Sequence, residues 1–581
     1  MNVAFDLFEN AARPPELEAA IAGMAAQGES ERGAIFTRPE VVEAILDLSG
    51  YVPSKPLHRL RVLEPSFGAG DFLLPIVRRL LSAYRAGRGR EDYKVADLEG
   101  AVRAVELHPD TYAKVSNAVK ATLSDAGFSS ADADELCRAW LINDDFLLTK
   151  LDSGFDFVLG NPPYVRQERI PDALLAEYRR RYRTLYDRAD LYVPFFERAL
   201  DLLSDSGTVG FICANRWLKN RYGGPLREKI SRGFWLKYFV DMEYADAFHI
   251  DVFAYPAVTI IQRVAEEPKL PTRMVSSGAG AGKIGLRKVV AALSEEQPSD
   301  VVSETFLAAG SSEPLLLGHT PSVSVLRRIE ETCLSIEQAG CKIGIGVATG
   351  CDRVFIRTFE ELPVEPDRKL PLVMARDLAQ GTINWGGKAL LNPFDEQGRL
   401  IKLSEFPGFE AYIRAHADLL KQRNVAKRSG SAWYRTIDRV QPGLLKTPKL
   451  LVPDIKSEGV FVLDRGEYYP HHNLYYIISE QWDLEALQAV LRSSLTRMTV
   501  AAYCTKMSGG FLRFQAQYLR RIRLPCWDKV SLELRDQLVR VANSREQEEV
   551  DSPVFELYGL SIAETTQVRH AIESGRKDCA E

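Results

Sequence analysis

From Arg61 to about Arg263 the chain alternates short apolar runs with longer amphipathic stretches, and few architectures accept that pattern. The runs at Arg61–Glu64, Ala101–Glu106, Trp140–Ile142, Phe155–Leu159, Thr208–Ala214 and Val258–Gln262 have the length and composition of strands. The stretches between them, among them Asp71–Ala83, Pro109–Ser124 and Tyr192–Leu203, carry apolar residues at helical spacing. Strand–helix alternation of this kind predicts a parallel sheet covered by helices on both faces. Residues 1–30, rich in Ala and Glu, read as helical.

The pattern does not extend along the whole chain. At 581 residues the prior is two to four domains. The stretch 266–300 breaks into Pro, Gly, Ser and Ala (PKLPTRMVSSGAGAGK), and after about 336 short β-like runs, Gly and Trp/Tyr take over. The expected division is therefore a first domain over 1–265, a connecting segment over 266–335, a second domain over 336–530, and a helical tail over 531–581 with its period at Leu532, Leu534, Leu538 and Val539.

Charge separates these parts. The formal net charge of −5 conceals 28 Lys+Arg against 21 Asp+Glu in residues 336–530, a net of +7. Within it, 491–523 holds Arg492, Arg497, Lys506, Arg513, Arg520, Arg521 and Arg523 and no acidic residue, and 411–450 has nine positive charges against two negative. Such clusters suit a phosphate backbone, although a run of charge is also what a solvated face looks like.

With 46% hydrophobic and 26% charged residues the composition is that of a globular protein, and no apolar run approaches the roughly 18–20 residues of a membrane helix. The opening MNVAFDLFEN lacks the pattern of a secretory leader, so a cytoplasmic protein without membrane partners is expected. None of the eight cysteines is spaced C-x2-C, and the reading is reduced, mostly buried thiols with neither a zinc site nor a disulfide framework.

Four segments within the alternating region carry chemistry. RVLEPSFGAGDFLL places Glu64, Pro65, Gly68 and Gly70 after a strand and at the opening of a helix, where glycine lets the backbone approach a ligand. Glu106 ends the second strand, a position from which a carboxylate accepts hydrogen bonds from ribose hydroxyls. INDDFLL puts Asp145 and Phe146 after the third, an acceptor and an aromatic face for a purine. Finally FDFVLGNPPYVRQER places Asn161-Pro162-Pro163-Tyr164 at the C-terminal edge of a strand, where open α/β sheets bind ligands. Consecutive prolines make that turn rigid and free of N–H groups. It presents an amide, outward carbonyls and an aromatic ring, which fits recognition of a planar NH2 group. Asn161 Oδ1 and the Pro162 carbonyl would each accept one amino hydrogen while Tyr164 stacks on the ring.

On these residues the chain resembles the TaqI-like adenine-N6 DNA methyltransferases. The resemblance implies an α/β fold, with a Rossmann-like, mostly parallel sheet methyltransferase domain followed by a mixed α+β target-recognition domain. It implies S-adenosylmethionine as cofactor, held by Thr37 of AIFTRPEVVEAIL near the methionine carboxylate, by the EPSFGAG turn, by Glu106 at the ribose, and by Asp145 with Phe146 at the cofactor adenine. NPPY matches the family's catalytic motif residue for residue. The aromatic opposing Tyr164 across a flipped base would come from VFAYPAV, with Phe253 preferred to Tyr255. GVATGCDRVFI, RNVAKRSGSAWYRTI and SGGFLRFQAQYLRRIRLP are similar to the recognition domain of such enzymes.

The activity implied is methyl transfer to adenine N6 in duplex DNA, with no metal required. The DNA contacts would come from Arg492, Arg497, Arg513, Arg520 and Arg521, and from Arg179 and Arg180 in YRRRYRTLYDR, a segment that reads equally as a solvated helix face. A separate restriction endonuclease is the implied partner, and a solitary methyltransferase fits the same residues. NPPY also occurs in methyltransferases of protein glutamine amides, and an RNA base or a degenerate DNA-binding module is a further alternative. Two other motifs are set aside. SGAGAGKI lacks the first Gly and the final Ser/Thr of a phosphate-binding loop, and GIGVATG is one residue too long for a dinucleotide turn.

Overall fold

The computed structural model describes residues 13–28, 37–88, 94–242, 256–265, 270–275, 285–295, 302–305, 311–316, 321–379, 381–456, 459–504 and 512–577. The chain divides into two compact units, Met1–His319 and Thr320–Glu581.

The first unit is built on a nine-stranded sheet: β1 (Val62–Glu64), β2 (Val102–Glu106), β3 (Leu141–Asn143), β4 (Phe155–Gly160), β5 (Leu203–Ala214), β6 (Phe234–Asp241), β7 (Pro256–Arg263), β8 (Thr272–Val275) and β9 (Ser303–Thr305). Their order across the sheet is β3-β2-β1-β4-β5-β7-β6-β8-β9. Strands β1 to β5 pair in parallel, with β1 lying between β2 and β4. β7 runs antiparallel between β5 and β6, so the far side of the sheet is mixed.

Side chains alternate across the sheet as the pleat requires. In β1, Val62 joins the core cluster on one face and Leu63 the cluster on the other. Ala104 and Val105 of β2 divide in the same way. One face is covered by α2 (Pro39–Ser49), α3 (Leu73–Arg88), α5 (Pro109–Asp125) and α6 (Ser130–Trp140), and the other by α1 (Pro15–Ala25), α7 (Asp172–Arg181), α8 (Tyr192–Asp201) and α9 (Gly224–Gly233). The short α4 (Val95–Leu98) leads into β2. Local chemistry sets the helix ends. Pro39 opens α2, and Gly50 closes it with φ +80°, a conformation that glycine adopts without steric cost. Ser129 caps α6, its side chain accepting from the Asp132 amide at 3.2 Å.

The six strands expected from the sequence are present, and β6, β8 and β9 are additional. The sheet therefore continues beyond residue 265, where a connecting segment is expected to begin. Thr272–Val275 pairs in parallel with β6, and a further helix covers Leu286–Ser294, so the first unit reaches His319.

The second unit contains two four-stranded sheets. The first has the order Cys341–Ile345, Leu474–Ser479, Lys449–Pro453, Val462–Asp464, and is antiparallel throughout. The second has the order Ile356–Thr358, Lys388–Leu391, Lys369–Val373, Tyr469–Pro470. The expected tail is part of this unit: helices Leu532–Val541 and Gln547–Leu557 pack on Leu484–Arg492, with Leu538 fully buried and Leu532 exposed. No disulfide is formed among the described cysteines, and no described helix is long and apolar enough to cross a membrane.

Candidate active site and family

The chain leaves β1 toward β2 on one side and returns from β3 to β4 on the other. The connections that follow β1 and β4 therefore leave toward opposite sides of the sheet, which opens a crevice at its switch point. A cavity of about 830 Å³ lies there, and the described residues that line it all belong to the first unit. Thr37, Glu64, Pro65, Gly68, Glu106, Asp145, Phe146, Asn161, Pro162 and Pro163 all line it. Gly70 and Tyr164 do not. Gly70 sits behind the lining, with φ +89° and a missing Cβ that would come within 3.2–3.3 Å of Val115 and Leu74. Gly68, at φ +48°, has open space where its Cβ would stand.

The loop after β1 is fastened to β2. Glu106 accepts the Gly68 amide on Oε2 at 2.8 Å and the His108 amide on Oε1 at 2.9 Å. Its carboxylate thus bridges two loops while retaining lone pairs for a ligand. Glu64 is different: it is 2% exposed and its Oε2 is buried without a hydrogen-bond partner. Burial, with Asp71 and Glu106 nearby, pushes its carboxyl well above the ordinary carboxylate range.

The turn after β4 is tied to the same loop, since Ser66 Oγ donates to the Asn161 carbonyl at 3.2 Å. Asn161 Nδ2 donates to Thr37 Oγ1 at 3.1 Å, and the Thr37 amide donates to Asp71 Oδ2 at 2.9 Å. Tyr164 packs into the apolar layers beside the turn, its ring centroid 6.3 Å from that of Tyr192.

Asp145 is 4% exposed, and its oxygens accept from the Leu147 amide at 2.7 Å and from the Tyr178 hydroxyl. Burial raises its pKa, against those two hydrogen bonds. Phe146 packs on Phe195 with ring centroids 4.8 Å apart and the planes tilted by 42°. Sequence reasoning missed Asp71, Asp144 and Tyr178. Asp71 directly follows the GAG turn, so adjacency alone marks it. Asp144 holds Arg13 through two hydrogen bonds of 2.6 Å, which brings α1 to the cavity wall.

Phe253 and Tyr255 lie outside the described residues. The predicted arginines fall into several environments. Arg179 is exposed and donates to Gln167 at 2.7 Å. Arg180 and Arg181 both grip Glu177, and the pair, Arg180 foremost, pulls that carboxyl down to about 2. In the second unit Arg520 is exposed and paired with Glu337 at 2.8 Å, and Arg513 is half-buried on Asp454 at 2.6 Å. Arg521 lies over the Tyr503 ring, and Arg497 is half-buried on the helix Ser494–Tyr503. Arg492 turns inward to the carbonyls of Ala542 and Ser544. Lys449, counted above in the basic stretch 411–450, is fully buried against Asp464 at 2.6 Å.

A buried, unpartnered carboxyl beside two more acidic groups suits a ligand that carries positive charge. A bridging carboxylate at the end of β2 suits hydroxyls, and the space at Gly68 admits close backbone contact. The residues present therefore fit S-adenosylmethionine, and the volume is within the usual range for a ligand of that size.

Residues 99–248 match the model of the Eco57I restriction-modification methylase, and residues 377–524 match that of the TaqI-like C-terminal specificity domain. The Type II methyltransferase M.PaeR7I of Pseudomonas aeruginosa is 51% identical over 554 residues, covering 94% of this chain and 95% of that one. M.XhoI of Xanthomonas vasicola is 49% identical over 537 residues, covering 92% and 98%. Among solved structures, the Type IIL restriction-modification enzyme MmeI in complex with DNA superposes with a TM-score of 0.55 at 13% identity, covering 97% of this chain and 77% of that one, a likeness of fold. The chain accordingly belongs to the type II methyltransferases of restriction–modification systems, with a methylase domain followed by a TaqI-like specificity domain.

Proposed function

We propose that the protein methylates the exocyclic N6 of adenine in duplex DNA, with S-adenosylmethionine as donor and the target base rotated out of the helix. The observation that carries this reading is the Asn161-Pro162-Pro163 turn. It lines the same cavity as Glu64, Gly68 and Glu106 and is bonded to their loop through Ser66.

When bound, S-adenosylmethionine supplies an electrophilic methyl group on a positively charged sulfur. Thr37, Glu64, Pro65, Gly68, Glu106, Asp145 and Phe146 would hold it. The residues of the turn act on the other reactant. The lone pair of the adenine amine is delocalised into the ring and is a poor nucleophile. Asn161 Oδ1 and the Pro162 carbonyl, each accepting one amine hydrogen, localise that lone pair and orient it. The two prolines have no N–H to compete for these acceptors. Asn161 is no general base, so the proton leaves after transfer, from a nitrogen that has become cationic and acidic. The rate gain is positioning and electrostatics. Rotating the base out costs a few kcal/mol, and stacking on Tyr164 returns about 1–3 kcal/mol.

The exposed Arg179 of the first unit and, in the specificity domain, Arg520, Arg497, Arg513 and Arg521 serve as phosphate contacts. The protein acts as the protective half of a pair with a separate restriction endonuclease. Support for that comes from M.PaeR7I and M.XhoI, named as methyltransferases and of similar length to this chain.

The test is transfer of labelled methyl from S-adenosylmethionine to DNA, RNA and protein in parallel, followed by nucleoside analysis. Label in N6-methyladenine of DNA is the expected result. Label in RNA or protein with DNA blank would overturn the substrate.

A further inference from the structure

We propose that Asp352, His471 and His472, in the second unit, form a site for one divalent cation of the zinc, cobalt(II) or nickel type. Among the described residues they are the one group of three metal-capable side chains whose ligand atoms all lie within 4.8 Å of one another. His471 Nε2 and Asp352 Oδ2 are 3.3 Å apart. Two donors on one tetrahedral ion, at bonds of about 2.0–2.1 Å, are separated by about 3.3 Å, so this pair already has the spacing of a shared ion.

The backbone builds the cluster from two distant segments. Gly346 passes so close to the Pro470 and His471 carbonyls that a Cβ there would collide with both. The Val347 amide donates to the Pro470 carbonyl at 3.0 Å, and the His472 amide returns a bond to the Val347 carbonyl at 3.1 Å. Gly350, at φ +75°, then turns the chain into the short helix Asp352–Phe355. Thr349 Oγ1 donates to Asp352 Oδ1 at 2.5 Å, which leaves Oδ2 toward His471.

His471 is 3% exposed, and the nitrogen it turns toward Asp352 is Nε2. The ring of His472 lies 4.1 Å from it, centroid to centroid, at the surface. A buried imidazole of this kind, beside a second imidazole and a carboxylate, is a nitrogen-rich donor set that selects borderline transition ions over magnesium or calcium. Three protein donors leave at least one coordination position to solvent. The ion would clamp the GVATGCD turn to the PHHN segment, two motifs that methyl transfer leaves unused.

The experiment uses full-length protein with any affinity tag removed; the chain itself has only eight histidines, so background binding is low. Cobalt(II) is titrated while its visible absorption is followed, and zinc is then added to displace it. The expected result is one equivalent bound, displacement by zinc, no competition from millimolar magnesium, and at least tenfold weaker binding in His472→Ala and in Asp352→Asn. Because His472 is at the surface, its variant should keep the wild-type circular dichroism. Zinc should raise the melting temperature of the wild type and not that of His472→Ala. No saturable equivalent, wild-type affinity in both variants, or competition by magnesium would overturn the proposal.

Discussion

Asn161 Nδ2 donates to Thr37 Oγ1 at 3.1 Å, and the Thr37 amide is itself held by Asp71 at 2.9 Å. In this arrangement the other end of the Asn161 amide, Oδ1, is the one the proposed function uses as acceptor. Removing the hydroxyl lets the amide rotate. One hydrogen bond is worth about 0.5–1.5 kcal/mol, so Thr37→Val should slow single-turnover methyl transfer by about two- to tenfold, and Thr37→Ser should restore it. Equal rates in both variants would refute the orienting role.

Asn161→Ala removes the acceptor while leaving the cavity wall otherwise intact. Methyl transfer should be lost, with cofactor affinity within a few-fold of wild type by calorimetry. Transfer near the wild-type rate would show that the amide takes no part.

Glu64 makes cofactor affinity depend on pH. Burial raises its pKa, so the empty folded protein keeps a proton that the unfolded chain releases near the ordinary value of 4.5. The group's favourable contribution to folding is complete below that value and is lost as pH rises through the raised one. A positively charged ligand pairs with the ionised form and expels the proton. Affinity for S-adenosylmethionine should therefore increase with pH across that window, and Glu64→Gln should flatten the dependence. A slope unchanged in the variant would assign the effect elsewhere.

Lys449 and Asp464 are 0% and 1% exposed. Lys449→Met leaves a buried carboxylate with only backbone donors, the Gly466 amide at 3.2 Å, the Glu467 amide at 2.9 Å and the Tyr468 amide at 3.3 Å. Such a break costs about 3–5 kcal/mol, to be read as a lower urea midpoint for the second unit. Replacing both residues with apolar ones should recover only part of the loss, because the Leu444, Leu445 and Thr447 carbonyls and the Gly466, Glu467 and Tyr468 amides lose their side-chain partners.

Arg492 and Arg520 belong to the same basic cluster and should behave differently. Arg492→Ala strands the Ala542 and Ser544 carbonyls, at a cost of about 1–3 kcal/mol in stability. DNA affinity per folded molecule should not change. Arg520→Ala should leave stability alone, weaken DNA binding, and reduce the salt slope by about one. Filter binding over a salt series separates the two.

What the sequence disclosed was local. The turn at Asn161-Pro162-Pro163 and the glycine loop after Glu64 could be located because strand, turn and helix follow one another within a dozen residues. What it withheld was long-range. Lys449 counts as surface charge until Asp464, fifteen positions on and across the sheet, is brought against it. Arg492 reads as a phosphate ligand until the Ala542 carbonyl turns it inward. Strand β8 is four residues in a Pro- and Gly-rich stretch, and its pairing with β6 is what makes it a strand. His471 and Asp352 are 119 positions apart, far outside any spacing rule for metal ligands.

Every described residue that lines the cavity lies between Ala22 and Phe195. In evolutionary terms, the half of the gene that encodes the specificity domain can diverge, or be exchanged by recombination, without altering any of these side chains. A lineage that needs a new target sequence inherits its chemistry unchanged.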